Sequence, residues 1–567
     1  MPKEPSGPRT SAPAFPSRTI DRAGIPHPLR AVFATHAEAR RRGMPVDEVA
    51  GERAESARRE QVRRAEQREA ASGPSRRRLL GAAGALAVAA AAIPGGALAP
   101  SRASAATAPR VVVVGAGLAG LRCAHRLWTG RTPVATTVYE AATTHIGGRC
   151  RSLRGFFSGG QVHEHGGAFI SSTDTAILGL SRQLNIQKEF AYGGALATGD
   201  YLAWIDNSVY TGVAQQDDWI AQAYDAFSAS YAAVGAPRYN AFTPEARRLD
   251  LMSALDYLDE IGLPAGSRLG QLIQSLQLQS GGEPSECSAV GLVGFLGASD
   301  VFAGGGFDEK YHLAGGNDQL VSGMAAQLPA GTVKQGYQLV ALRRNGDGSY
   351  TCTFDHGGST VSVGADHVVL ALPFSTLRNV DLSGAQLSAL KLKAIREQGM
   401  GQNAKIVTQL THKTWPAAGG NGITNTGPNG YQTAWDGSVH LGANGAPALL
   451  VNFPGGNTAR NTLTGAAHGP APTADVQWFH GQIEHLYPGT TAAYNGKAYE
   501  DHWSLDPWSL GAYHYYKVGQ YTSIAGYEGA QEGRIHFAGE HTDVDNSTLN
   551  AAVASGERAA DEVACQI

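Results

Sequence analysis

The sequence predicts an α/β protein, and three observations near its residue 111 carry that prediction. Val111–Val114 is an unbroken β-branched run, as expected for a strand buried on both faces. Leu121–Leu127 then continues with the spacing of a helix. A second β-rich run, Thr136–Tyr139, ends at Glu140. A strand, a helix and a second strand in this order are typical of an α/β fold.

Three glycines join the first strand to the helix. Gly115, Gly117 and Gly120 form the motif G-x-G-x-x-G. The first glycine permits a tight turn, the second lets the backbone approach a pyrophosphate, and the third lets the helix pack closely on the sheet. The pyrophosphate would then lie at the positive end of the helix. Glu140, about 20 residues further on, would bind the ribose hydroxyls. The sequence therefore predicts a Rossmann-like dinucleotide site, which spacing alone does not assign to FAD or NAD.

The composition argues against several other classes of function. The 567 residues are enough for two to four domains, 43% of them are hydrophobic, and the net charge of −3 gives no sign of a nucleic-acid partner. The five cysteines are scattered without a C-x-x-C pair, so neither a disulfide framework nor a zinc site is indicated. We expect no metal site, and we expect the acidic residues Asp250, Asp256, Asp259 and Glu260 to lie on the exposed faces of helices.

The first part of the chain differs from the rest. Residues 1–74 are polar and charged, and we expect a disordered or loosely helical leader. Arg76-Arg77 precedes an apolar run, Gly81–Ala99, and Ala103-Ser104-Ala105 follows it. Paired arginines, a mildly hydrophobic stretch and an A-x-A site resemble a twin-arginine export signal at 75–105, with cleavage after Ala105.

A membrane anchor is the alternative, but Ala and Gly are poorly hydrophobic and Pro94 interrupts the run. No other stretch approaches the ~20 apolar residues that a membrane span needs. We therefore expect a mature protein that is secreted or periplasmic, is exported folded by the twin-arginine machinery, and has no stable membrane association. The long leader is unusual for such a signal and is also consistent with an over-extended start codon.

Further motifs follow in the mature chain. Alternating strands are expected at 337–343, 350–354 and 361–363, with Asn345–Gly348 as a hairpin turn. Residues 200–300 are expected to mix helices with loops, and 417–470 have short strands and no assigned role. The other blocks are VHEHGGAFI at 162–170, GGNDQLV at 315–321, a strand around Lys405, WSLDPWSLGAY at 503–513, FAGEHT at 537–542 and a final helix, Leu549–Val563.

In this order the blocks resemble the flavin-dependent amine oxidase family, which includes monoamine, polyamine and L-amino-acid oxidases. The resemblance covers nearly all of residues 109–567. It implies a Rossmann-like FAD-binding domain built from discontinuous segments and an α+β substrate domain on a mixed sheet. The FAD domain is expected at 109–172, 304–394 and 505–567, and the substrate domain at 173–303 and 395–504.

The resemblance also implies residue roles. Lys405 matches the lysine that holds a water against flavin N5, although residue spacing alone favours a surface lysine on an edge strand. Tyr513 matches one wall of the aromatic pair around the substrate amine, where aromatic faces attract a cation. Ala512 stands where some relatives carry a cysteine bonded to the flavin, so we expect non-covalent FAD. The predicted cofactor-binding residues are Gly115, Gly117, Leu118, Ala119, Gly120, Glu140, Ala141, Gly148, Arg149, Gly166, Gly167, Ala168, Phe169, Leu339, Gly539, Glu540, Thr548 and Leu549.

Two positions depart from the family pattern. The second aromatic wall falls at Thr548, which leaves the aromatic cage half open. Ile170 occupies the place where L-amino-acid oxidases carry an arginine for the substrate carboxylate, although Arg182 or another arginine could replace it. The predicted substrate-contacting residues are Phe169, Ile170, Tyr513 and Thr548.

We therefore expect a secreted FAD-dependent oxidase that uses oxygen to convert a small amine into an aldehyde, ammonia and hydrogen peroxide. The nearest alternative is an L-amino-acid oxidase that gives a 2-oxo acid. A flavin-dependent desaturase and a non-catalytic flavin-binding protein are further alternatives. The sequence leaves the oligomeric state open, a homodimer included.

Overall fold

The computed structural model describes Arg42, Glu52 and residues 109–191, 199–297, 309–442, 444–543 and 548–567. The chain divides into two compact units, and Thr35–Pro109 forms the smaller one. Within it, Arg42 and Glu52 form an ion pair of 2.6 Å. The predicted leader, export signal and cleavage site otherwise lie outside the described residues. Among the residues described, no helix has the length and apolar character needed to cross a membrane.

The larger unit is a mixed α/β structure, as predicted, with several sheets. Its strands are β1 Val111–Val114, β2 Thr136–Glu140, β3 Ser152–Leu153, β4 His163–Glu164, β5 Lys188–Phe190, β6 Asp200–Ile205, β7 Ser208–Thr211, β8 Tyr311–Leu313, β9 Val333–Gln335, β10 Gln338–Arg344, β11 Tyr350–His356, β12 Ser359–Ala365, β13 His367–Leu370, β14 Gly399–Met400, β15 Ala404–Leu410, β16 Gly420–Thr426, β17 Thr433–Asp436, β18 Ala448–Asn452, β19 His468–Pro470, β20 Tyr494–His502, β21 His514–Tyr515 and β22 Ile535–Phe537.

Helices cover the sheets. They are α1 Leu118–Thr129, α2 Thr175–Gln183, α3 Gly212–Gln222, α4 Tyr224–Val234, α5 Pro244–Asp250, α6 Ala254–Glu260, α7 Arg268–Leu278, α8 Ala289–Gly297, α9 Gln319–Gln327, α10 Phe374–Leu377, α11 Ala389–Glu397, α12 Gly456–Asn461, α13 Thr473–Ile483, α14 Thr490–Ala493 and α15 Leu549–Ala564.

A five-stranded parallel sheet has the order β22-β13-β1-β2-β9. Side chains of β1 alternate between two hydrophobic cores. Val112 and Val114 pack in the first core, whereas Val111 and Val113 pack in the second. Because both faces are covered, every position of the strand is apolar, which confirms the buried strand predicted from the β-branched run.

The predicted hairpin is confirmed in the three-stranded antiparallel sheet of β10, β11 and β12. Asn345 closes the turn between β10 and β11, because its backbone N–H donates to the carbonyl oxygen of Ser349 at 2.8 Å. Gly348 has a φ of +83° in this turn, a conformation that glycine adopts without steric cost.

An eight-stranded mixed sheet has the order β19-β20-β15-β18-β17-β16-β6-β7. Its strands come from 200–211 and 404–502, whereas the strands of the parallel sheet come from 111–140, 333–370 and 535–537. Contacts keep both sheets in one compact unit, so the division into two domains stays a prediction.

The prediction that residues 200–300 contain only helices and loops was wrong at its start. Residues 200–211 form the antiparallel hairpin β6–β7 at the end of the eight-stranded sheet. Asp206 and Asn207 both have a φ of +54° in its two-residue turn. Asp and Asn tolerate this left-handed conformation, and an Asp-Asn pair is therefore a weaker form of the Asn-Gly hairpin signal.

Asp250 also differs from the prediction, because it is buried and does not lie on an exposed helix face. Its carboxylate accepts hydrogen bonds from the hydroxyl of Ser288 and from the backbone N–H groups of Tyr521 and Thr522. The end of α5 is thereby tied to two segments distant in sequence. The other predicted acidic residues, Asp256, Asp259 and Glu260, are exposed, as expected.

Candidate active site

One long cavity follows the carboxyl edge of the parallel sheet. Residues that directly follow or end its strands line this cavity: Gly115 after β1, Glu140 at the end of β2, Ala371 after β13 and Gly539 near β22. In open α/β sheets, ligands bind at this edge, because the loops and helix N-termini converge there. The topology therefore places a ligand site at the glycine motif.

The three glycines of the motif have distinct surroundings. Gly115 has a φ of +100°, and a Cβ there would lie 2.9 Å from the carbonyl oxygen of Ala371. A Cβ on Gly120 would lie 2.0 Å from the carbonyl oxygen of Gly115, so this glycine permits the close packing of α1 on β1. A Cβ on Gly117 would meet nothing within 4 Å, because this glycine faces the cavity. Only at Gly117 is the space left by the missing side chain open to a ligand.

Glu140 is fixed at the cavity wall by the backbone. Its carboxylate accepts hydrogen bonds from the N–H groups of Ala116 at 2.7 Å and Ala142 at 2.9 Å. Burial raises the pKa of Glu140, and these hydrogen bonds oppose that rise. The side chain is therefore held in one orientation beside the glycine turn, as a ribose-binding acid requires.

A partly buried ion pair in the cavity wall joins segments that are distant in sequence. Arg149 Nη1 lies 2.9 Å from Glu540 Oε1, and His514 Nδ1 lies 2.8 Å from the other carboxylate oxygen. Burial acts to raise the pKa of Glu540, but the charges of Arg149 and His514 lower it to about 2. Glu540 therefore stays ionised, and the charge of Arg149 is compensated within the protein.

The N-terminus of α15 borders the same cavity. Its N-cap residue, Thr548, and its first residue, Leu549, both line the wall. The Thr548 Oγ1 atom is buried and makes no hydrogen bond with any part of the chain that the structure describes. Helix N-termini attract negative charge. An open glycine turn, an anchored carboxylate and a helix end with an unpartnered hydroxyl together fit a dinucleotide cofactor.

Lys405 lies on the cavity-facing side of β15. That strand pairs with β18 on one side and β20 on the other, so it is an interior strand and not the edge strand that spacing favoured. Nζ donates to the backbone carbonyl oxygen of Glu164 at 2.9 Å and to that of Gly166. The residue is 4% exposed, and burial lowers the pKa of Lys405 to about 8. A titratable cation is thus held at the wall of the cavity.

A cluster of histidines surrounds Asp501, the residue paired with Lys405 across β15 and β20. Asp501 Oδ1 lies 2.7 Å from His165 Nδ1 and 2.6 Å from His468 Nδ1, while Oδ2 lies 3.5 Å from His163 Nε2. Burial acts to raise the pKa of Asp501, but these hydrogen bonds hold it well below its usual range. An ionised carboxylate therefore lies beside Lys405, on the neighbouring strand.

Aromatic rings form another part of the wall. Trp435 packs against Phe169 at 5.5 Å and against Phe453 at 5.7 Å between ring centroids. Tyr513 also lines the cavity, and its hydroxyl donates to the backbone carbonyl oxygen of Gln279. Trp435 and Phe453 come from residues 417–470, for which the sequence predicted no role. These strands supply an aromatic face to the cavity.

A buried carboxylate, Glu309, lines the cavity as well. Its backbone N–H donates to the hydroxyl of Ser171 at 3.0 Å. Burial raises the pKa of Tyr513, and the charges of Glu309 and Glu540 raise it further. The cavity thus contains a carboxylate close enough to Tyr513 to act on its ionisation.

The structure brings nearly all the predicted residues to this cavity, Leu339 and Ala512 included. Ile170 is the exception among the substrate residues, because its side chain is fully buried in the core with Ile177 and Leu313 and is not part of the wall. Arg182, considered as a substitute arginine, is exposed on α2 and does not line the cavity either.

Several cavity residues were not predicted from the sequence. The unpredicted residues either belong to the WSLDPWSLGAY block at 503–513, where only Ala512 and Tyr513 were discussed, or lie outside the quoted motifs. They include His145, Gln279, Glu309, Gln338, Asn379, Trp435, Phe453, Trp503, Asp506, Trp508 and Ser509.

The fold and the cavity define a protein of the dinucleotide-binding α/β class. The sequence profile of flavin-containing amine oxidoreductases matches residues 118–564, so the chain belongs to this family. Family membership implies FAD as the cofactor, in agreement with the glycine turn, the anchored Glu140 and the α15 N-terminus.

The curated relatives share 25–30% sequence identity with this chain over the aligned residues. Nicotine dehydrogenase of Pseudomonas putida (strain DSM 28022 / S16) is 30% identical over 340 residues, 58% of this chain and 62% of that protein. Flavin-dependent L-tryptophan oxidase RebO of Lentzea aerocolonigenes is 27% identical over 250 residues, 43% of this chain and 50% of that protein. The chain therefore spans between half and two thirds of the length of these relatives. Polyamine oxidase 1 of Oryza sativa subsp. japonica is 25% identical over 527 residues, 80% of this chain and 97% of that protein.

Solved structures share the fold. Cyclohexylamine oxidase from Brevibacterium oxydans IH-35A superposes with a TM-score of 0.69 at 18% sequence identity, covering 81% of this chain and 99% of that one. Putrescine oxidase bound to putrescine superposes with a TM-score of 0.66 at 20% identity, with the same coverage.

Proposed function

We propose that this chain is an FAD-dependent oxidase of a small amine. The observation that carries the proposal is the combination of the Glu309 carboxylate, the aromatic rings and Lys405 in one cavity beside the dinucleotide site. The reaction converts the amine, oxygen and water into an aldehyde, ammonia and hydrogen peroxide.

Recognition of the amine follows from charge and aromatic faces. A protonated amine is attracted both to a buried carboxylate and to the face of an aromatic ring. Glu309 supplies the first, and Tyr513, Phe169 and Trp435 supply the second. Thr548 adds a hydroxyl where family members carry the second aromatic wall. A small polar residue at this place leaves room for a wider substrate.

The charges disfavour a substrate that carries a carboxylate. Among the described residues that line the cavity, Arg149 is the only arginine, and its charge is compensated by Glu540. The other cation of the wall, Lys405, already lies beside the ionised Asp501. Glu309 would repel a substrate carboxylate, so burying one in this cavity is costly. An L-amino-acid oxidase remains the second candidate, because the curated relatives include L-amino-acid oxidases.

The glycine turn, Glu140 and the α15 N-terminus would hold FAD, which would supply the redox chemistry between the amine-bearing carbon and oxygen. The chain's own contribution is position and charge. Glu309 and the aromatic rings orient the amine. Lys405 holds a proton at Nζ within the buried wall, where a cation stabilises negative charge that develops during oxygen reduction. The absence of a cysteine at position 512 supports FAD that is bound without a covalent link.

An aerobic assay of the purified holoenzyme tests the proposal. Hydrogen peroxide formation is measured over a panel of primary amines, polyamines and α-amino acids. We expect one peroxide for each amine consumed. Activity confined to α-amino acids would support the second candidate instead. Turnover that needs an artificial electron acceptor would indicate a dehydrogenase or a desaturase, and no turnover with any substrate would indicate a flavin-binding protein without catalysis.

Export by the twin-arginine machinery is a further part of the proposal, supported by Arg76-Arg77, the apolar run and Ala103-Ser104-Ala105. Expression of the full chain in a bacterium that has the twin-arginine pathway, followed by N-terminal sequencing of the extracytoplasmic protein, tests it. We expect a mature N-terminus at Ala106, and we expect Arg76→Lys with Arg77→Lys to retain the protein in the cytoplasm. Export of this double variant at the normal level would contradict the proposal. A homodimer, which the sequence left open, is tested by sedimentation of the same sample.

A further inference from the structure

Three side chains with metal-binding atoms meet beside the cavity but outside the cofactor site. Glu189 lies in β5, His312 in β8 and His440 in the short 3₁₀ helix Val439–Leu441. One potential ligand atom from each residue lies within 4.8 Å of the other two. Glu189 Oε1 is 3.0 Å from His312 Nε2, and the rings of His312 and His440 have centroids 5.8 Å apart.

The backbone holds two of these residues in register. Glu189 and His312 are directly opposite each other in the antiparallel pair of β5 and β8. Directly opposed residues of an antiparallel pair have Cβ atoms about 5 Å apart, so the two side chains reach a common point without rearrangement. A metal ion between them would need only small rotations of the side chains.

His440 is positioned by its own supporting contacts. The Lys413 ammonium donates to the backbone carbonyl oxygens of Ser438 at 3.0 Å and Gly442 at 2.7 Å, on either side of the histidine. Lys413 also pairs with Asp436 at 2.7 Å. The His440 ring itself makes no hydrogen bond with any residue in the described ranges, so its nitrogen atoms are available to a ligand.

A second, smaller cavity opens beside these residues. It is lined by His312 and His440 and by Phe169, Lys405 and Trp435, which also line the large cavity. Two imidazoles and one carboxylate are a common protein donor set for Zn²⁺, and the remaining coordination position is then taken by water or another small ligand. The small cavity provides space for that position.

We propose that Glu189, His312 and His440 bind one divalent transition-metal ion, with Zn²⁺ as the best match. The ion links the β5–β8 pair to the helical turn after β17, and so braces the wall that carries Trp435 and Lys405. This site is independent of the proposed amine oxidation. No metal site was expected from the sequence, because consecutive ligands are more than a hundred residues apart.

Calorimetric titration of the chelator-treated holoenzyme with ZnCl₂ tests the site. We expect one Zn²⁺ per chain. His440→Ala and the more conservative Glu189→Gln should each weaken binding by about 100-fold or more, since each removes a direct ligand. His412→Ala is the matched control, because His412 is an exposed histidine on the same sheet edge and belongs to no such cluster. It should bind Zn²⁺ as the parent protein does.

Thermal unfolding gives an independent readout. Excess Zn²⁺ should raise the unfolding temperature of the parent protein and of His412→Ala by about 2–5 °C, and that of His440→Ala by much less. Retained flavin absorbance shows that each variant is folded. The proposal is overturned if the parent protein binds no Zn²⁺, or if His440→Ala and Glu189→Gln bind it with unchanged affinity.

Discussion

The ammonium nitrogen of Lys405 lies 2.9 Å from the backbone carbonyl oxygen of Glu164. This hydrogen bond joins an interior strand of the eight-stranded sheet to the segment that precedes the glycine turn at Gly166 and Gly167. It fixes the lysine at the cavity wall, and it leaves the ammonium within a buried environment that lowers its pKa to about 8. Lys405 is therefore a positioned cation and not a surface lysine.

The first prediction concerns this lysine. Lys405→Met should slow the reaction of the reduced enzyme with oxygen by about 100-fold, because the charge that stabilises the developing anion is removed. FAD binding should be retained, since the glycine turn and Glu140 are unchanged. Stopped-flow measurement of flavin reoxidation, with flavin absorbance as the check on binding, gives the result.

Lys391→Met is the matched control for that experiment. Lys391 is also buried, donates to two backbone carbonyl oxygens, of Tyr527 and Glu528, and has a pKa lowered to about 7 by burial. It does not line the cavity. The control should lose stability and keep its reoxidation rate. Equal slowing in both variants would mean that the loss of any buried lysine slows reoxidation by disturbing the fold, and that Lys405 has no specific role in the reaction with oxygen.

The second prediction concerns Glu309. Glu309→Gln should lower kcat/KM for amines by roughly 10- to 100-fold, because the amide keeps an acceptor oxygen but loses the negative charge that attracts the ammonium group. Steady-state kinetics with a single amine measure the effect. Glu397→Gln, a change at an exposed glutamate of α11, should leave kcat/KM unchanged. An unchanged kcat/KM in Glu309→Gln would show that the Glu309 carboxylate does not take part in amine recognition.

The third prediction separates two glycines that both have open space where a Cβ would lie. Gly117→Ala should keep the fold and weaken FAD binding by about 10-fold or more, because the methyl group enters the space that a pyrophosphate needs. Gly266→Ala, outside the cavity, should bind FAD normally. Flavin fluorescence during titration of the apoprotein measures both affinities. Identical affinities would place the pyrophosphate elsewhere.

The fourth prediction is a pH dependence of stability. Burial raises the pKa of Glu164 from its ordinary 4.5 to about 7. Between these values the folded protein keeps a proton that the unfolded chain has lost, so the stabilisation is complete below pH 4.5 and is lost as the pH rises through 7. The contribution is at most about 3 kcal/mol.

Denaturant unfolding of the parent protein and of Glu164→Gln, from about pH 5 to about pH 7.5, measures this contribution. Glutamine preserves the hydrogen-bonding geometry but does not titrate. The parent protein should lose more stability across this range than the variant does. Parallel curves would show that Glu164 titrates at its ordinary pKa in the folded protein.

Local patterns were sufficient to predict the glycine turn and the carboxylate that lies beside it. Gly115, Gly117 and Glu140 lie within one strand-turn-helix-strand segment, so their spacing already determines their geometry. The position of Lys405 was harder to predict, because alternation along one strand does not tell whether that strand is interior or at an edge. The neighbouring strands, β18 and β20, are distant in sequence.

The rest of the cavity wall could be located only from the fold. Glu309, Trp435 and Phe453 reach the cavity from segments without a recognisable motif. Ile170 shows the opposite error, because its position beside Phe169 suggested a place in the wall, whereas alternation along the chain turns its side chain into the core. Adjacent residues of an extended segment face opposite ways, and one register step decides between cavity and core.

Anaerobic reduction of the bound flavin by a matched pair of substrates tests the central claim most directly. An amine and the α-amino acid with the same side chain, such as tyramine and tyrosine, differ only in the carboxylate. Loss of flavin absorbance in a stopped-flow instrument gives the two rates without involving oxygen. We expect the amine to reduce the flavin at least about 100-fold faster, because the substrate carboxylate would be desolvated beside Glu309, which repels it. Faster reduction by the amino acid would contradict the assignment of this cavity to amines.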